Sequence, residues 1–94
     1  MFKCKFYNIE ILDGYFSGVV YLFANERRYV LNIGYDIEFD NLKLFNCNDL
    51  AYNSANEEYS VDQISDIYID YGHLIKEEIK YYIDIHGYLV FADK

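Results

Sequence analysis

The chain has 94 residues, a formal net charge of −8, and no proline. A chain this short builds one core, so we predict a single domain over residues 1–94. Its 53% apolar and 20% aromatic residues argue against disorder, and no apolar run approaches the ~20 residues that cross a bilayer. Because the chain shows no leader segment, we expect a cytoplasmic protein whose Cys4 and Cys47 are reduced thiols.

The first 45 residues are predicted to form an antiparallel β-meander. Asp13-Gly14 is a strong two-residue hairpin signal, and a second turn is predicted over 24–27. Folding the chain at the first turn is predicted to pair Ile11 with Phe16, Ile9 with Gly18 and Tyr7 with Val20. Folding it at both turns brings one apolar face together: Tyr7, Ile9, Ile11, Phe16, Val20, Leu22, Tyr29, Leu31 and Ile33. A one-residue slip would turn every side chain over, so the agreement of two independent turns supports this register.

The alternation of apolar and polar residues continues from Arg28 to Asp40, which predicts one strand of about twelve residues. We expect so long a strand to bend at Gly34 and to curl the sheet into a small barrel. A third tight turn is predicted at Asp40-Asn41, and it pairs Glu38 with Lys43.

Residues 46–60 lack periodicity and are predicted to form a loop. The segment Ser60-Val61-Asp62-Gln63 fits a capping box, so one short helix is predicted near residues 61–66. Residues 67–71 are then predicted to form a strand that ends at Gly72-His73.

The C-terminal stretch is ambiguous, because residues 74–82 fit either a helical turn or a strand. We favour a C-terminal hairpin that turns at His86-Gly87, since Ile79, Tyr81 and Ile83 alternate as in a strand. The predicted fold class is therefore mainly β, an antiparallel β-meander curled into a small barrel-like sheet with one short helix and a C-terminal hairpin. An α+β fold is the alternative.

The charge is unevenly distributed along the chain. Residues 1–30 carry four cations and three anions, whereas residues 36–70 carry nine carboxylates against Lys43 alone. Direct binding to nucleic acid is disfavoured, because phosphate contacts need a basic patch. A basic partner is favoured, because a concentrated negative field attracts the opposite charge.

Two rows of carboxylates are the candidate partner-binding residues. The first row is Asp36, Glu38 and Asp40, on one side of a strand at intervals of roughly 6.5–7 Å. The second row is Glu58, Asp62, Asp66 and Asp70, which a spacing of four aligns along one helix face at roughly 6 Å per step. Like charges at this spacing destabilise a helix slightly, so the stability of the fold does not explain their presence. Such rows can imitate a phosphate backbone; the competing interpretation is an ordinary solvated surface.

No catalytic, metal or cofactor site is predicted. Cys4, Cys47, His73 and His86 lie too far apart in the sequence for the close ligand pairs of a zinc site. The paired carboxylates lie among other charges, and not in the apolar pocket that raises the pKa of a general acid. The glycines are scattered and form no phosphate-binding loop.

In size, acidity and lack of a catalytic signal, the chain resembles the small acidic inhibitors made by phages and mobile elements, including anti-CRISPR and anti-restriction proteins. These proteins share no motif, so the resemblance carries over no residue. Together with the charge distribution, it makes the leading hypothesis a non-enzymatic inhibitor or adaptor, monomer or homodimer, that binds a basic, nucleic-acid-binding protein partner without a membrane or cofactor. Three alternatives remain: an immunity protein that neutralises a toxin domain, a small ligand-binding barrel or enzyme, and a phage structural component.

Overall fold

The computed structural model describes residues 2–48 and 58–91, with side chains to residue 86. Its elements are β1 (Phe2–Leu12), β2 (Tyr15–Ala24), β3 (Arg27–Asp36), β4 (Asn41–Asn46) and α1 (Val61–Phe91). The strands form one antiparallel sheet in the order β1-β2-β3-β4, which confirms the predicted mainly-β meander. Strands β1 and β4 do not pair with each other, so the curled sheet stays open and is not a closed barrel.

The first two hairpins form in the register predicted at their turns. Ile11 pairs with Phe16 across the first turn, as predicted. Asp13 and Gly14 adopt left-handed backbone with φ of 51° and 78°. A two-residue turn of this kind matches the twist of the strands that it joins. The local turn chemistry therefore sets the pairing of β1 with β2, and the second hairpin behaves in the same way.

A β-bulge interrupts β1 between Tyr7 and Glu10. Asn8 takes a left-handed φ of 53° inside the bulge. The prediction paired Tyr7 with Val20. Because the bulge inserts an extra residue, Tyr7 pairs with Val19 instead. Tyr7 therefore leaves the predicted apolar face.

Two glycines of the sheet have different structural roles. A Cβ on Gly18, which was predicted to pair with Ile9, would lie 2.9 Å from the backbone oxygen of Tyr7, so glycine allows the close approach at the bulge. Gly34 stays in regular register with both neighbouring strands, so no β-bulge forms there. The hydroxyl of Tyr15 covers Gly34, and a Cβ at that position would collide with it.

Strand β3 ends earlier than the alternation of the sequence predicts. It ends at Asp36, which pairs with Asn41 across a four-residue turn. The predicted strand to Asp40, the tight turn at Asp40-Asn41 and the Glu38–Lys43 pair are therefore wrong. The reason is a side-chain cap that starts the turn at Asp36.

One helix replaces the elements predicted for the end of the chain. Helix α1 runs without a break from Val61 to Phe91, so the strand predicted over 67–71 and the C-terminal hairpin are wrong. The helix predicted near 61–66 is correct in its start but far too short. Its sheet-facing apolar residues recur every three or four positions, as in an amphipathic helix: Ile64, Ile67, Tyr71, Ile75, Ile79 and Tyr82. Within the described residues, this helix lacks the apolar length to span a membrane.

The core lies between α1 and one face of the sheet. Ile75 and Ile79 of α1 are fully buried against the apolar residues of that face. The ring of Tyr82 packs edge-on against Phe6 and Phe16, at centroid distances of 6.0 and 5.6 Å. These contacts fix which face of α1 points to solvent.

Candidate acidic interface on the helix

The start of α1 is fixed by the capping box that the sequence predicts. The hydroxyl of Ser60 accepts the backbone N–H of Gln63 at 3.1 Å, and the side-chain oxygen of Gln63 accepts the N–H of Ser60 at 2.9 Å. These bonds satisfy donors that the first turn of a helix leaves unpaired. Asp62 lies in this first turn, where the helix macrodipole stabilises a negative charge.

Residues on both sides of the undescribed segment also hold this helix end in place. The backbone N–H of Tyr59 donates to the side-chain oxygen of Asn46 at 2.7 Å, and the Asn46 amide donates back to the Tyr59 carbonyl at 2.9 Å. The hydroxyl of Tyr59 also accepts the N–H of Val30 at 3.4 Å. The start of the helix is thus bound to the end of β4 and to β3.

The outward side of α1 carries a row of exposed carboxylates, which we call the acidic helix face. Its members are Asp62, Asp66, Asp70, Glu77 and Asp84. All five are exposed and lie away from the buried Ile75 and Ile79. From Asp62 to Asp84 the helix rises about 33 Å, so the carboxylates follow most of its length.

The charges of the acidic helix face are not neutralised by ion pairs within the described part of the chain. No lysine or arginine nitrogen there lies within 4.0 Å of any of its five carboxylates. Arg27 lines the same cleft as Asp66 and Asp70, beside the turn between β2 and β3, but forms no such pair. The face therefore keeps a negative potential directed into solvent.

Glu58 does not belong to this face. It is exposed, but it lies two residues before the cap and outside the helix. The predicted row from Glu58 to Asp70 is therefore continuous only from Asp62 onward. Sequence reasoning missed Glu77 and Asp84, because it placed a hairpin where the helix continues.

The other predicted row, Asp36, Glu38 and Asp40, does not lie along a strand. Asp36 ends β3, and its carboxylate accepts the backbone N–H groups of Glu38 at 3.1 Å and Phe39 at 3.2 Å. An aspartate that bonds the backbone two residues ahead starts a turn. Asp36 therefore stabilises the turn, whereas Glu38 is exposed to solvent on it.

Asp40 joins the turn to the helix. Its carboxylate accepts a hydrogen bond from the hydroxyl of Tyr35 and lies 3.7 Å from the Lys76 ammonium and 3.6 Å from that of Lys80. The Tyr35 hydrogen bond, together with the two lysines, holds the pKa of Asp40 below its ordinary value. Burial, followed by the bond to Asp40, raises the pKa of Tyr35 to about 12. Asp40 is thus partly neutralised within the chain and contributes little negative field to a partner.

An open groove of about 450 Å³ lies between β1 and the second half of α1. Cys4 lines it, and burial, followed by the nearby Glu78, raises the pKa of this thiol to about 12. A thiol with so high a pKa stays protonated at neutral pH and is a poor nucleophile. The groove therefore does not present an activated cysteine.

The two cysteines lie on opposite faces of the sheet and are not bonded to each other. Cys4 packs against the core under α1, whereas Cys47 is buried with Val19 and Val30 on the other face. In the described part of the chain, no three His, Cys, Asp or Glu side chains are grouped so that they could hold a metal ion.

Comparison of the chain with known protein families, curated proteins and solved structures found no match. The structure itself defines an open four-stranded meander with one long helix across one face and a carboxylate row on the outside of that helix.

Proposed function

We propose that this protein is a non-enzymatic binding protein, an inhibitor or adaptor, that recognises a basic protein surface through its acidic helix face. The observation that carries this proposal is the row of five exposed carboxylates, none paired with a described lysine or arginine, on one rigid helix. A cationic partner gains from such a row twice, because the field speeds encounter and complementary charges select against wrong partners.

The acidic helix face also offers apolar contacts. Ile69 is 70% exposed and lies beside the carboxylate row, and Tyr81 is 57% exposed further along the helix. Interfaces gain most of their affinity from a few apolar or aromatic anchors surrounded by polar groups. Ile69 and Tyr81 supply such anchors, whereas the carboxylates supply orientation.

The favoured class of partner is a nucleic-acid-binding protein. Such proteins carry grooves lined with lysine and arginine that neutralise successive phosphates. Carboxylates spaced along about 33 Å of a straight helix can occupy several of these cation sites at once. An inhibitor that does so competes directly with the nucleic acid for its site.

The experiment that tests this proposal is affinity purification with the tagged chain, identification of bound proteins by mass spectrometry, and titration of each purified candidate. We expect the bound protein to have a basic surface and its affinity to fall strongly between low and high salt. An inhibitor captures a nuclease or another nucleic-acid-binding protein, whereas an immunity protein captures a small toxin domain. An affinity that does not change with salt contradicts both.

Charge-matched variants assign the interface. The triple variant Asp62→Lys, Asp66→Lys, Asp70→Lys reverses the first half of the acidic helix face. The control Glu10→Lys, Glu38→Lys, Glu58→Lys changes the net charge by the same amount at exposed positions outside the acidic helix face. We expect the helix variant to lose the partner and the control to keep it. Equal losses for the two variants would show that only net charge matters.

A further inference from the structure

The sheet face opposite α1 carries a cluster of cations and aromatic rings. Across three neighbouring strands, Lys3 pairs with Phe23, and Phe23 pairs with Arg28. One row further, Lys5 pairs with Tyr21. We call these five residues the basic–aromatic patch.

The rings and cations of the patch are arranged for contact with a flat anionic ligand. Phe23 is 41% exposed and lies between two exposed cations, Lys3 and Arg28. The guanidinium carbon of Arg28 lies 5.5 Å from the centroid of the Tyr21 ring, a distance typical of a cation–π contact. Arg28 is exposed and pairs with Phe23 of β2, so its guanidinium and the Phe23 ring are neighbours on the same sheet face.

The local charge of the patch is opposite to that of the whole protein. Lys3, Lys5 and Arg28 give it a formal charge of +3, and none of the strand partners of its five residues is acidic. The charges of residues 1–30 nearly cancel along the sequence. The antiparallel pairing of β1, β2 and β3 is what gathers three cations at one end of one face.

We propose that the basic–aromatic patch binds single-stranded nucleic acid. Bases stack on Phe23 and on the guanidinium plane of Arg28, while phosphates contact Lys3, Lys5 and Arg28. Proteins that hold single strands without reading their sequence combine a positively charged surface with aromatic rings on which unpaired bases stack. The patch has both components within two adjacent rows of a sheet.

The acidic helix face and the basic–aromatic patch belong to different layers of the molecule, since the patch lies on the sheet face opposite α1. Asp66 and Asp70 approach the strands at the cleft that Arg27 also lines, beside the turn between β2 and β3. Repulsion between the exposed carboxylates and a strand on the sheet is screened by salt beyond the Debye length of about 8 Å at physiological ionic strength.

A nucleic-acid strand fits the patch better than a second copy of this chain does. The acidic helix face and the patch lie on opposite sides of the molecule, so their contact would be head to tail and would not close into a dimer. Each added copy would also bring a further formal charge of −8. The proposal stands independently of whether the acidic helix face has a protein partner.

The test is fluorescence anisotropy with labelled oligo(U) and oligo(dT) of about 12 nucleotides, a length within the usual site sizes. A hairpin duplex of the same length is the comparison ligand. We expect saturable binding of both single strands and at least about tenfold weaker binding of the duplex, whose bases stay stacked. Three phosphate contacts predict a slope of about −2 in a plot of log binding constant against log salt concentration. The affinity is then expected to fall about fifteen- to twentyfold from about 50 to about 200 mM salt.

Variants at matched positions locate the contact. Phe23→Leu removes the stacking ring and is expected to weaken binding at least about fivefold. Arg28→Ala is expected to weaken binding and to make the salt slope shallower by about 0.7. The controls Phe45→Leu and Lys43→Ala change an exposed ring and an exposed cation on the same sheet face, but on β4 and outside the patch. We expect both controls to bind as the wild type does.

Three results would overturn the proposal. The first is no binding of either oligonucleotide at about 50 mM salt, where electrostatic binding is strong. The second is an equal loss for the patch variants and the β4 controls while circular dichroism shows every variant folded. The third is self-association in light scattering that Arg28→Ala abolishes, which would assign the patch to contacts between copies of this chain. Separate loss of protein capture by the helix variant would leave the proposal intact.

Discussion

The hydroxyl of Tyr35, at the end of β3, donates a hydrogen bond to the carboxylate of Asp40, at the end of the following turn. Lys76 and Lys80 approach the same carboxylate from α1. One aspartate therefore connects a strand, a turn and the helix that covers the sheet. Asp40 belongs to the predicted acidic row, but its contacts stabilise the fold and do not leave a free surface charge.

Removal of the Tyr35 hydroxyl tests this connection. The variant Tyr35→Phe keeps the buried ring but loses the hydrogen bond, so we expect the free energy of unfolding to fall by about 1 kcal/mol. Urea denaturation measures the change. The control is Tyr81→Phe, at a ring that is 57% exposed, which is expected to change stability by less than about 0.5 kcal/mol. A Tyr35→Phe variant as stable as the control would show that the hydrogen bond contributes nothing.

Asp40 also predicts a dependence of stability on pH. Because its pKa in the folded protein lies below the ordinary 3.8, the unfolded chain takes up a proton at this position more readily. The contribution of Asp40 to stability is therefore present above this ordinary value and is lost as the pH falls through the lowered one. We expect wild type and Asp40→Asn to differ by a constant amount at neutral pH and to converge under acid conditions. If the difference in the free energy of unfolding between the two proteins grew on acidification, Asp40 would have a raised and not a lowered pKa in the folded protein.

Paired substitutions in α1 test the helix itself. Ile75 is fully buried, whereas Ile69 is 70% exposed. Ile75→Ala should lower the free energy of unfolding by about 2–5 kcal/mol. Ile69→Ala should change it by less than about 0.5 kcal/mol. The two positions would share one face of a strand, so similar losses in thermal or urea unfolding would favour the extended structure.

The environment of Cys4 predicts a slow thiol. A pKa of about 12 in place of 9.0 reduces the thiolate fraction at mildly alkaline pH by about a thousandfold. We expect iodoacetamide to modify Cys4 far more slowly in the folded protein than in urea. Peptide mass spectrometry separates Cys4 from Cys47. Equal rates in the folded and unfolded states would mean that Cys4 is neither buried nor shifted.

The sheet could be predicted from the sequence where turn chemistry is local. Asp13-Gly14 determines the first hairpin by its own backbone preference, and the pairs nearest to it form as predicted. The bulge at Asn8 could not be predicted, because nothing in the alternation marks an asparagine that turns left-handed within a strand. The end of β3 was also missed, since Phe39 continues the apolar alternation but is 74% exposed on the turn.

The helix was predicted only at its start, although the sequence contains the signal for its continuation. Ile67, Ile75 and Ile79 are spaced by multiples of four, which is the period of one helix face. The runs Ile67-Tyr68-Ile69 and Tyr81-Tyr82-Ile83 consist of β-branched and aromatic residues, which favour strands, and Gly72 predicts the end of a strand. Burial against the sheet outweighs these weak local preferences, and Gly72 is itself buried within the helix.

The candidate site was predicted in part for the same reason. Asp62, Asp66 and Asp70 share a helix face because their spacing of four suits a helix, so their grouping follows from the sequence. The continuation to Glu77 and Asp84 depends on the length of α1 and was therefore missed. Their function as a binding surface stays a prediction.

The sheet and helix keep positive and negative surfaces on opposite sides of one small molecule. Such a molecule experiences a torque in the field of any highly charged neighbour, because the neighbour attracts one side and repels the other. Near such a neighbour, the molecule turns toward a preferred orientation within about a Debye length, before any surfaces touch. Rotational alignment of this kind reduces the number of unproductive collisions, and added salt abolishes it.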